Sequence, residues 1–335
     1  MALPDTSTLI VDLGGTNVRF ALADTRAATP LLADSIRHYP SSRFGSLAEA
    51  GRRYLDDIGA QPRLAYCAVA GRVEGEEAYI TNLPWQLSAN GIARELGLDA
   101  VYLLNDFEAM SLSVPLLHET DMRAIGGPKP PRLGSAPVQT FAIVGPGTGL
   151  GVGGLVLRNG QLAVLRTEGG HVSFAPQDDL EIEILRRLLP RHGRVSNERL
   201  LCGSGLLRLY QTLAGIHAVA APHESPEAIT NAALAGEAQC IETIDRFLAM
   251  LGSAAGDLVL AMGAWQGVYL AGGLLSALRP WLDHGAFRQR FTDKGRMSDS
   301  LERAPTVAIT HPNPGLLGAA AAAVLGSGGN LLATH

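Results

Sequence analysis

The stretch "TLIVDLGGTNVRFALAD", residues 8–24, consists of an apolar run, a glycine turn that contains a threonine, and a second run. In the run after the turn, every second residue is large and apolar, at Val18, Phe20 and Leu22. A period of two predicts a β-strand. The stretch therefore predicts a β-hairpin whose tip is rich in glycine.

The same plan recurs about 130 residues later in "TFAIVGPGTGLGVGGLVLRNG", residues 140–160. Further strand-like runs alternate with helical stretches along the chain, for example 64–70, 101–104 and 267–271 with 46–58, 180–189, 240–261 and 315–325. This mixture is typical of an α/β protein. The repeat predicts a duplicated α/β domain, with the two glycine turns facing each other across a deep cleft.

The composition describes a globular protein with ample core material, since 47% of the 335 residues are hydrophobic and 18% are charged. That length predicts two domains or one large one. The formal net charge of −5 argues against nucleic acid or an anionic membrane as the main partner. The start of the chain shows no secretion signal, and the apolar stretch near its end is short, so we expect a cytoplasmic protein without a membrane span.

Three cysteines, Cys67, Cys202 and Cys240, lie far apart in the sequence and form no C-x-x-C pair. Their spacing predicts neither a disulfide framework nor a structural zinc site. Residues 118–138 are rich in proline and glycine and have no apolar period, which predicts an irregular surface segment near a domain boundary.

Two common nucleotide-binding motifs are excluded. Gly149, Gly151 and Gly154 match G-x-G-x-x-G, but a dinucleotide fingerprint opens a helix, whereas "LVLRNGQLAVL" at 155–165 predicts two strands joined by an Asn-Gly turn. A Walker P-loop ends in G-K-[ST], and the chain contains no such triplet.

The two predicted glycine turns have the chemistry of phosphate sites. Tight turns of this kind expose consecutive backbone N–H groups, and a threonine in each, Thr16 or Thr148, adds a hydroxyl. Asp12 is a candidate to hold Mg²⁺ through water, because Mg²⁺ prefers carboxylate, water and substrate phosphate. The alternative is two ordinary hairpin turns with glycine at positive φ.

A third glycine pair, Gly272 and Gly273 in "VYLAGGLL", follows a predicted strand. Without side chains, these residues would let a flat adenine or ribose approach the backbone. The alternative is a simple strand-to-helix turn.

The stretch "VYLLNDFEAM", residues 101–110, places an acid after a strand-like run. One interpretation is structural: Asn105 caps a helix, Glu108 completes a capping box, and Asp106 is favoured by the helix dipole. The other is functional, because the carboxyl ends of strands in open α/β sheets border ligand crevices.

Seven segments, in order along the chain, resemble bacterial glucokinase, the ATP-dependent hexokinase relative that lacks a zinc motif and belongs to the actin-like ATPase superfamily. They are D-L-G-G-T-N-x-R at 12–19, L-N-D-F at 104–107, G-T-G-L-G at 147–151, E-G-G-H-V at 168–172, E-R-L-L-C-G-S-G at 198–205, L-A-G-G at 270–273 and N-P-G-L-L-G at 313–318. No cysteine-rich cluster, such as related zinc-containing sugar kinases carry, follows His171.

The resemblance implies phosphorylation of the 6-hydroxyl of D-glucose by ATP with Mg²⁺, in a homodimer. It implies that Asp106 is the catalytic base and that the sugar hydroxyls are held by Asn105, Asp106, Glu168, His171 and Glu198. It implies that ATP is bound by Asp12, Gly14, Gly15, Thr16, Gly147, Thr148, Gly149, Gly272 and Gly273. Carboxylates and amides suit a hexose, whose hydroxyls both donate and accept hydrogen bonds.

The resemblance further implies two ribonuclease-H-like domains, a small one of residues 1–112 with 315–335 and a large one of residues 113–314. Two other functions stay open. A kinase for another hexose, such as mannose, fructose or an amino sugar, would keep the ATP turns and change the sugar contacts. A non-catalytic sugar-binding regulator usually carries a DNA-binding helix-turn-helix before the first strand, and the first strand here begins near residue 8.

Overall fold

The computed structural model of the protein describes residues 7–80 and 83–334. In these ranges the strands are β1 (Thr8–Leu13), β2 (Asn17–Ala23), β3 (Leu31–Pro40), β4 (Leu64–Val69), β5 (Gly71–Glu74), β6 (Glu77–Ile80), β7 (Gln86–Ser88), β8 (Ala100–Asn105), β9 (Met122–Gly126), β10 (Val138–Pro146), β11 (Leu150–Arg158), β12 (Gln161–Arg166), β13 (Val268–Leu270) and β14 (Thr306–Ile309). The α-helices are α1 (Leu47–Ile58), α2 (Ala89–Leu96), α3 (Asp106–Ser113), α4 (Asp179–His192), α5 (Asn197–Leu200), α6 (Gly203–His217), α7 (Pro226–Leu234), α8 (Ala238–Met262), α9 (Gly273–Leu282), α10 (Ala286–Thr292), α11 (Ser298–Glu302) and α12 (Pro314–Gly326).

The chain forms two compact units, Met1–Asp121 with His311–His335, and Met122–Thr310. In the described part of the first unit, the main sheet has the strand order β3-β2-β1-β4-β8. Strands β3, β2 and β1 are antiparallel, whereas β1, β4 and β8 are parallel. Helix α12 packs against α3 and against β1 and β4.

The main sheet of the second unit has the order β12-β11-β10-β13-β14-β9 within the described residues. Its first five strands repeat the plan of the first sheet, with an antiparallel triple β12-β11-β10 followed by parallel β13 and β14. The core of this unit joins these strands to α4, α6, α8 and α10 through fully buried side chains such as Tyr210, Phe247 and Phe287. The predicted duplicated α/β fold is confirmed.

Both predicted glycine hairpins are present. Strands β1 and β2 pair from Thr8↔Ala23 to Leu13↔Val18, and β10 and β11 pair from Val138↔Arg158 to Pro146↔Leu150. The prediction of an irregular segment over residues 118–138 is wrong for Met122–Gly126, which form β9. This strand pairs antiparallel with β14, because the open edge of β14 supplies backbone partners that no local pattern reveals.

Among the described residues, no helix combines the length and the apolar character that a membrane crossing requires.

Candidate active site

The first glycine turn joins β1 to β2 in the first unit. Gly14 N donates a hydrogen bond to Asn17 O at 2.9 Å, which closes the turn around Gly15 and Thr16. Neither glycine has a positive φ, so the alternative of a turn that needs glycine for its backbone angle does not hold here. The Thr16 hydroxyl is exposed and accepts a hydrogen bond from Asn17 Nδ2 at 3.0 Å. The absence of side chains at Gly14 and Gly15 leaves space for an anion to approach the backbone of the turn.

Asp12 lies near the end of β1 and faces Arg19 on β2. Arg19 Nη1 donates to Asp12 Oδ2 at 2.8 Å, and the Asp12 side chain is 15% exposed. Burial raises the pKa of Asp12, and the Arg19 guanidinium opposes that shift. Arg19 was given no role from the sequence; its position opposite Asp12 follows from the register of the β1–β2 hairpin.

The Asp12 carboxylate also touches the first turn of α12. A Cβ built on Gly315 would lie 2.7 Å from Asp12 Cγ and 2.8 Å from its Oδ1. Glycine at this position therefore lets the helix start approach the carboxylate closely, and the positive end of the α12 dipole lies beside it. This contact gives a physical reason for the glycine of the N-P-G-L-L-G segment.

Asn105 and Asp106 occupy the junction of β8 and α3. Asn105 is the N-cap: its Oδ1 accepts from Phe107 N at 2.9 Å, and its Nδ2 donates to Gly71 O at 3.0 Å. The capping interpretation of Asn105 is confirmed. Asp106 is the first residue of α3, is half-buried, and accepts from Phe107 N through Oδ1 at 3.0 Å. The carboxylate is thus held at the carboxyl end of a parallel strand, where the helix dipole stabilises its charged form.

The second glycine turn, in the second unit, joins β10 to β11. Gly147 N donates to Gly149 O at 2.8 Å, and Gly147 O accepts from Gly203 N at the start of α6, also at 2.8 Å. Neither Gly147 nor Gly149 has a positive φ. Thr148 lies at the tip of the turn and is exposed. As in the first turn, the small residues keep the backbone open rather than enable an unusual backbone angle.

Gly272 and Gly273 lie beside this second turn because β13 runs parallel to β10. Gly272 has φ 103°, and a Cβ on it would be 2.5 Å from Pro146 O. Two helices begin here, α6 at Gly203 and α9 at Gly273, and neither has a side-chain cap. Helix starts without a side-chain cap present a positive dipole end to anions. Gly203, the first residue of α6, was assigned no role from the sequence, although it lies in the quoted E-R-L-L-C-G-S-G segment.

Glu168, His171 and Glu198 come together in the second unit. His171 Nε2 lies 3.9 Å from Glu168 Oε2, and His171 Nδ1 lies 3.7 Å from Glu198 Oε1. Their side chains are 84%, 56% and 33% exposed, respectively. Two acceptors on either side of an imidazole form a set that can pair with several neighbouring hydroxyl groups.

Local packing holds this set in place. Glu198 Oε2 accepts from Leu150 N at 3.0 Å, and Arg194 Nη2 donates to His171 O at 2.7 Å. A Cβ on Gly170 would lie 2.0 Å from Leu150 O, so the glycines of the E-G-G-H segment allow it to pack directly on β11. The structure therefore groups the predicted residues by unit. Asp12, Gly14, Gly15, Thr16, Asn105 and Asp106 belong to the first unit, and Gly147, Thr148, Gly149, Glu168, His171, Glu198, Gly272 and Gly273 belong to the second.

Comparisons with known proteins give matches over nearly the whole chain. The family model described as Glucokinase matches residues 9–325. A glucokinase from Xanthomonas campestris pv. campestris (strain 8004) is 48% identical over 328 residues, which are 97% of either chain. A solved structure of glucokinase from an Antarctic psychrotroph, 35% identical, superposes with a TM-score of 0.84 and covers 94% of this chain and 98% of that one.

A solved structure of glucokinase from Balamuthia mandrillaris in complex with glucose is 21% identical and has a TM-score of 0.77, covering 96% of this chain and 94% of that one. At that identity it supports the fold alone. The family match and the 48% identity extend over nearly the whole length, from the first glycine hairpin to α12. The chain belongs to the glucokinase family, whose sugar-kinase members share the actin-like ATPase fold.

Proposed function

We propose that this protein phosphorylates the 6-hydroxyl of D-glucose, with ATP as the phosphoryl donor. Family membership supports a hexose kinase. The observation that carries the assignment to this chain's own residues is the position of Glu198. One of its oxygens accepts a hydrogen bond from Leu150 N, at the end of a phosphate-type glycine turn, and the other lies 3.7 Å from His171 of the hydroxyl-binding set.

Asp106 is proposed as the catalytic base. In phosphoryl transfer the new bond forms between the sugar 6-oxygen and the γ-phosphorus, the bond to the β-phosphate oxygen breaks, and ADP leaves. As the bond between the sugar 6-oxygen and the γ-phosphorus forms, the proton of the 6-hydroxyl passes to a carboxylate. Because Asp106 lies at the start of α3, the dipole stabilises its charged form and weakens it as a base. Its main contribution would then be to orient the 6-hydroxyl.

Sugar recognition is proposed for Asn105, Asp106, Glu168, His171 and Glu198. The glutamates accept hydrogen bonds from hydroxyls, whereas His171 can donate or accept. An epimer with one hydroxyl reversed would leave a polar group of the site unpaired, and this mismatch would separate glucose from related hexoses.

ATP binding is proposed for the two glycine turns and the third glycine pair, that is, for Asp12, Gly14, Gly15, Thr16, Gly147, Thr148, Gly149, Gly272 and Gly273. The exposed turn backbones would hold phosphate oxygens, and the uncapped starts of α6 and α9 add positive potential for the nucleotide.

Asp12 fits the Mg²⁺ ion that the family's chemistry calls for. Its Oδ2 is engaged by Arg19, which leaves Oδ1 as an acceptor for a metal-bound water. Mg²⁺ keeps several waters and takes its remaining ligands from the phosphates of ATP. A single carboxylate that is already paired with an arginine is therefore sufficient to hold it. When bound, Mg²⁺ would neutralise charge on the phosphates.

Three further predictions stay proposals: a cytoplasmic location, a homodimer, and a functional division into residues 1–112 with 315–335 and residues 113–314. The division lies near the compact units Met1–Asp121 with His311–His335, and Met122–Thr310.

A hexose panel tests the function. Purified protein with Mg-ATP is offered glucose, mannose, fructose and glucosamine, and ADP and sugar 6-phosphate are measured separately. We expect ADP to appear only with sugar and fastest with glucose, and Asp106→Asn to lower the rate of formation of both products by about 10²- to 10⁴-fold. If another hexose reacted faster than glucose, that hexose would replace glucose as the assigned substrate. Failure of every sugar, with correctly folded protein, would overturn the kinase proposal.

A further inference from the structure

A cluster of three side chains that the proposed function does not use lies in the second unit, where the loop after α6 meets the start of α8. His223 Nε2 is 2.8 Å from Glu237 Oε2, and Cys240 Sγ is 3.5 Å from Glu237 Oε1. The three ligand-type atoms all lie within 4.8 Å of one another. They come from the segment before α7, from the N-cap of α8 and from the first turn of α8.

The donor types indicate which ion could bind. An imidazole nitrogen, a carboxylate oxygen and a thiol sulfur form a set that suits Zn²⁺, whereas Mg²⁺ takes oxygen ligands and waters. Cys240 is fully buried, while the side chains of His223 and Glu237 are 22% and 39% exposed. The cluster therefore combines a buried sulfur with a path to solvent along its other two ligands.

A buried tyrosine borders the cluster. The Tyr210 side chain is fully buried, and its ring centroid lies 5.6 Å from that of His223. Burial and the neighbouring Cys240 raise the pKa of the Tyr210 hydroxyl, whereas a hydrogen bond with the His223 backbone opposes that rise. The aromatic ring therefore packs beside the imidazole of the cluster.

We propose that His223, Glu237 and Cys240 form a zinc site, whose fourth ligand would be a water. Burial and the adjacent Glu237 raise the pKa of Cys240 to about 12, so the thiol is protonated in the metal-free protein. On binding, the S–H bond breaks, the S–Zn bond forms and the proton leaves to solvent. No electron is transferred.

A bound ion would join the loop between α6 and α7 to the start of α8. Its role would be structural and independent of Mg-ATP, since its ligands include none of the residues proposed for ATP or glucose. Sequence spacing did not reveal the cluster because His223, Glu237 and Cys240 match no short zinc motif.

Metal titration tests the site in the full chain without nucleotide. Chelator-treated protein is titrated with Zn²⁺ in competition with a chromophoric chelator, in excess Mg²⁺. It is titrated separately with Co²⁺, whose thiolate complex has a near-ultraviolet charge-transfer band. We expect one equivalent to bind, the cobalt–thiolate band to appear, and the melting temperature to rise with Zn²⁺.

Variants identify the ligands. Cys240→Ser should abolish the cobalt–thiolate band, and His223→Ala and Glu237→Gln should each lower Zn²⁺ affinity at least tenfold. Cys67→Ala, which removes a different buried thiol, and His217→Ala, which removes a His–Glu pair of similar length but without sulfur, should leave Zn²⁺ binding unchanged. Absence of the band in the wild-type protein would overturn the proposal without any variant. An unchanged band in folded Cys240→Ser protein would do the same.

Discussion

The carboxylate of Glu198 lies directly against Gly149. A Cβ built on Gly149 would be 2.5 Å from Glu198 Oε2, the same oxygen that accepts a hydrogen bond from Leu150 N. Gly149 does not have a positive φ, so a side chain at this position would act by displacing the Glu198 carboxylate rather than by straining the backbone. Gly149, in a turn proposed to bind phosphate, therefore influences the position of Glu198, a carboxylate proposed to bind the sugar.

Gly149→Ala should displace Glu198 and raise KM for glucose. Loss of a hydrogen bond to a charged group costs about 1.5–3 kcal/mol, which corresponds to a change of roughly 10- to 150-fold. Steady-state kinetics with glucose and ATP varied separately would measure it. Gly147→Ala is the matched control, because a Cβ there meets no atom within 4 Å. It should mainly affect KM for ATP. If both variants changed only KM for ATP, the Gly149–Glu198 contact would have no part in sugar binding.

Asp106→Asn should lower kcat by about 10²- to 10⁴-fold, because the amide can neither accept the proton of the 6-hydroxyl nor orient that hydroxyl as a carboxylate does. The amide oxygen can still accept from Phe107 N, so α3 should begin at the same residue and the melting temperature should change little. Glucose and ATP affinities, measured by calorimetry, should stay within a few-fold of wild type. A kcat near the wild-type value would remove Asp106 from the base role.

Gly315→Ala should lower kcat and increase the Mg²⁺ concentration needed for half-maximal rate, because the new methyl group would push the Asp12 carboxylate away from its pairing with Arg19. Activity is measured against Mg²⁺ at fixed ATP. If Gly315→Ala kept a normal Mg²⁺ dependence, the position of Asp12 would not matter for the ion.

Gly318→Ala, on the same helix, separates this effect from simple crowding. A Cβ on Gly318 would be 1.6 Å from Ala109 O, at the contact of α12 with α3. Overpacking there should lower the free energy of unfolding by about 1–3 kcal/mol or more. Denaturant unfolding measures that loss, and the Mg²⁺ dependence of the remaining folded enzyme should be that of the wild type.

Glu181→Ala should be strongly destabilising. Glu181 is fully buried and accepts from Arg290 Nη1 at 2.9 Å, from Arg290 Nη2 at 3.1 Å and from Arg246 Nη1 at 3.1 Å. Removing one partner of a buried charge network costs about 3–5 kcal/mol, measured by urea unfolding at neutral pH. Glu183→Ala on the same helix breaks more exposed pairs with Arg186 and Arg187 and should cost much less. Equal losses for the two variants would contradict the importance of the buried network.

Several elements were missing from the sequence prediction for physical reasons. Strand β3 (Leu31–Pro40) is mostly exposed, so its residues lack the alternation of a half-buried strand. Strand β9 forms by pairing with β14 at the edge of the sheet. That edge exists only once the sheet has assembled, so the local sequence of β9 does not reveal it.

The sequence by itself determined the two glycine hairpins, the α/β class, the helix cap at Asn105 and the motif residues that identify the family. These features depend on local alternation, on turn residues and on neighbours a few positions apart. Only the tertiary structure decided the approach of Gly149 to Glu198, of Gly315 to Asp12, and of His223 to Cys240. Leu150 and Glu198, for example, are 48 residues apart. Such contacts depend on how sheets and helices pack, and packing distances of a few ångströms are not encoded in any short pattern of residue types.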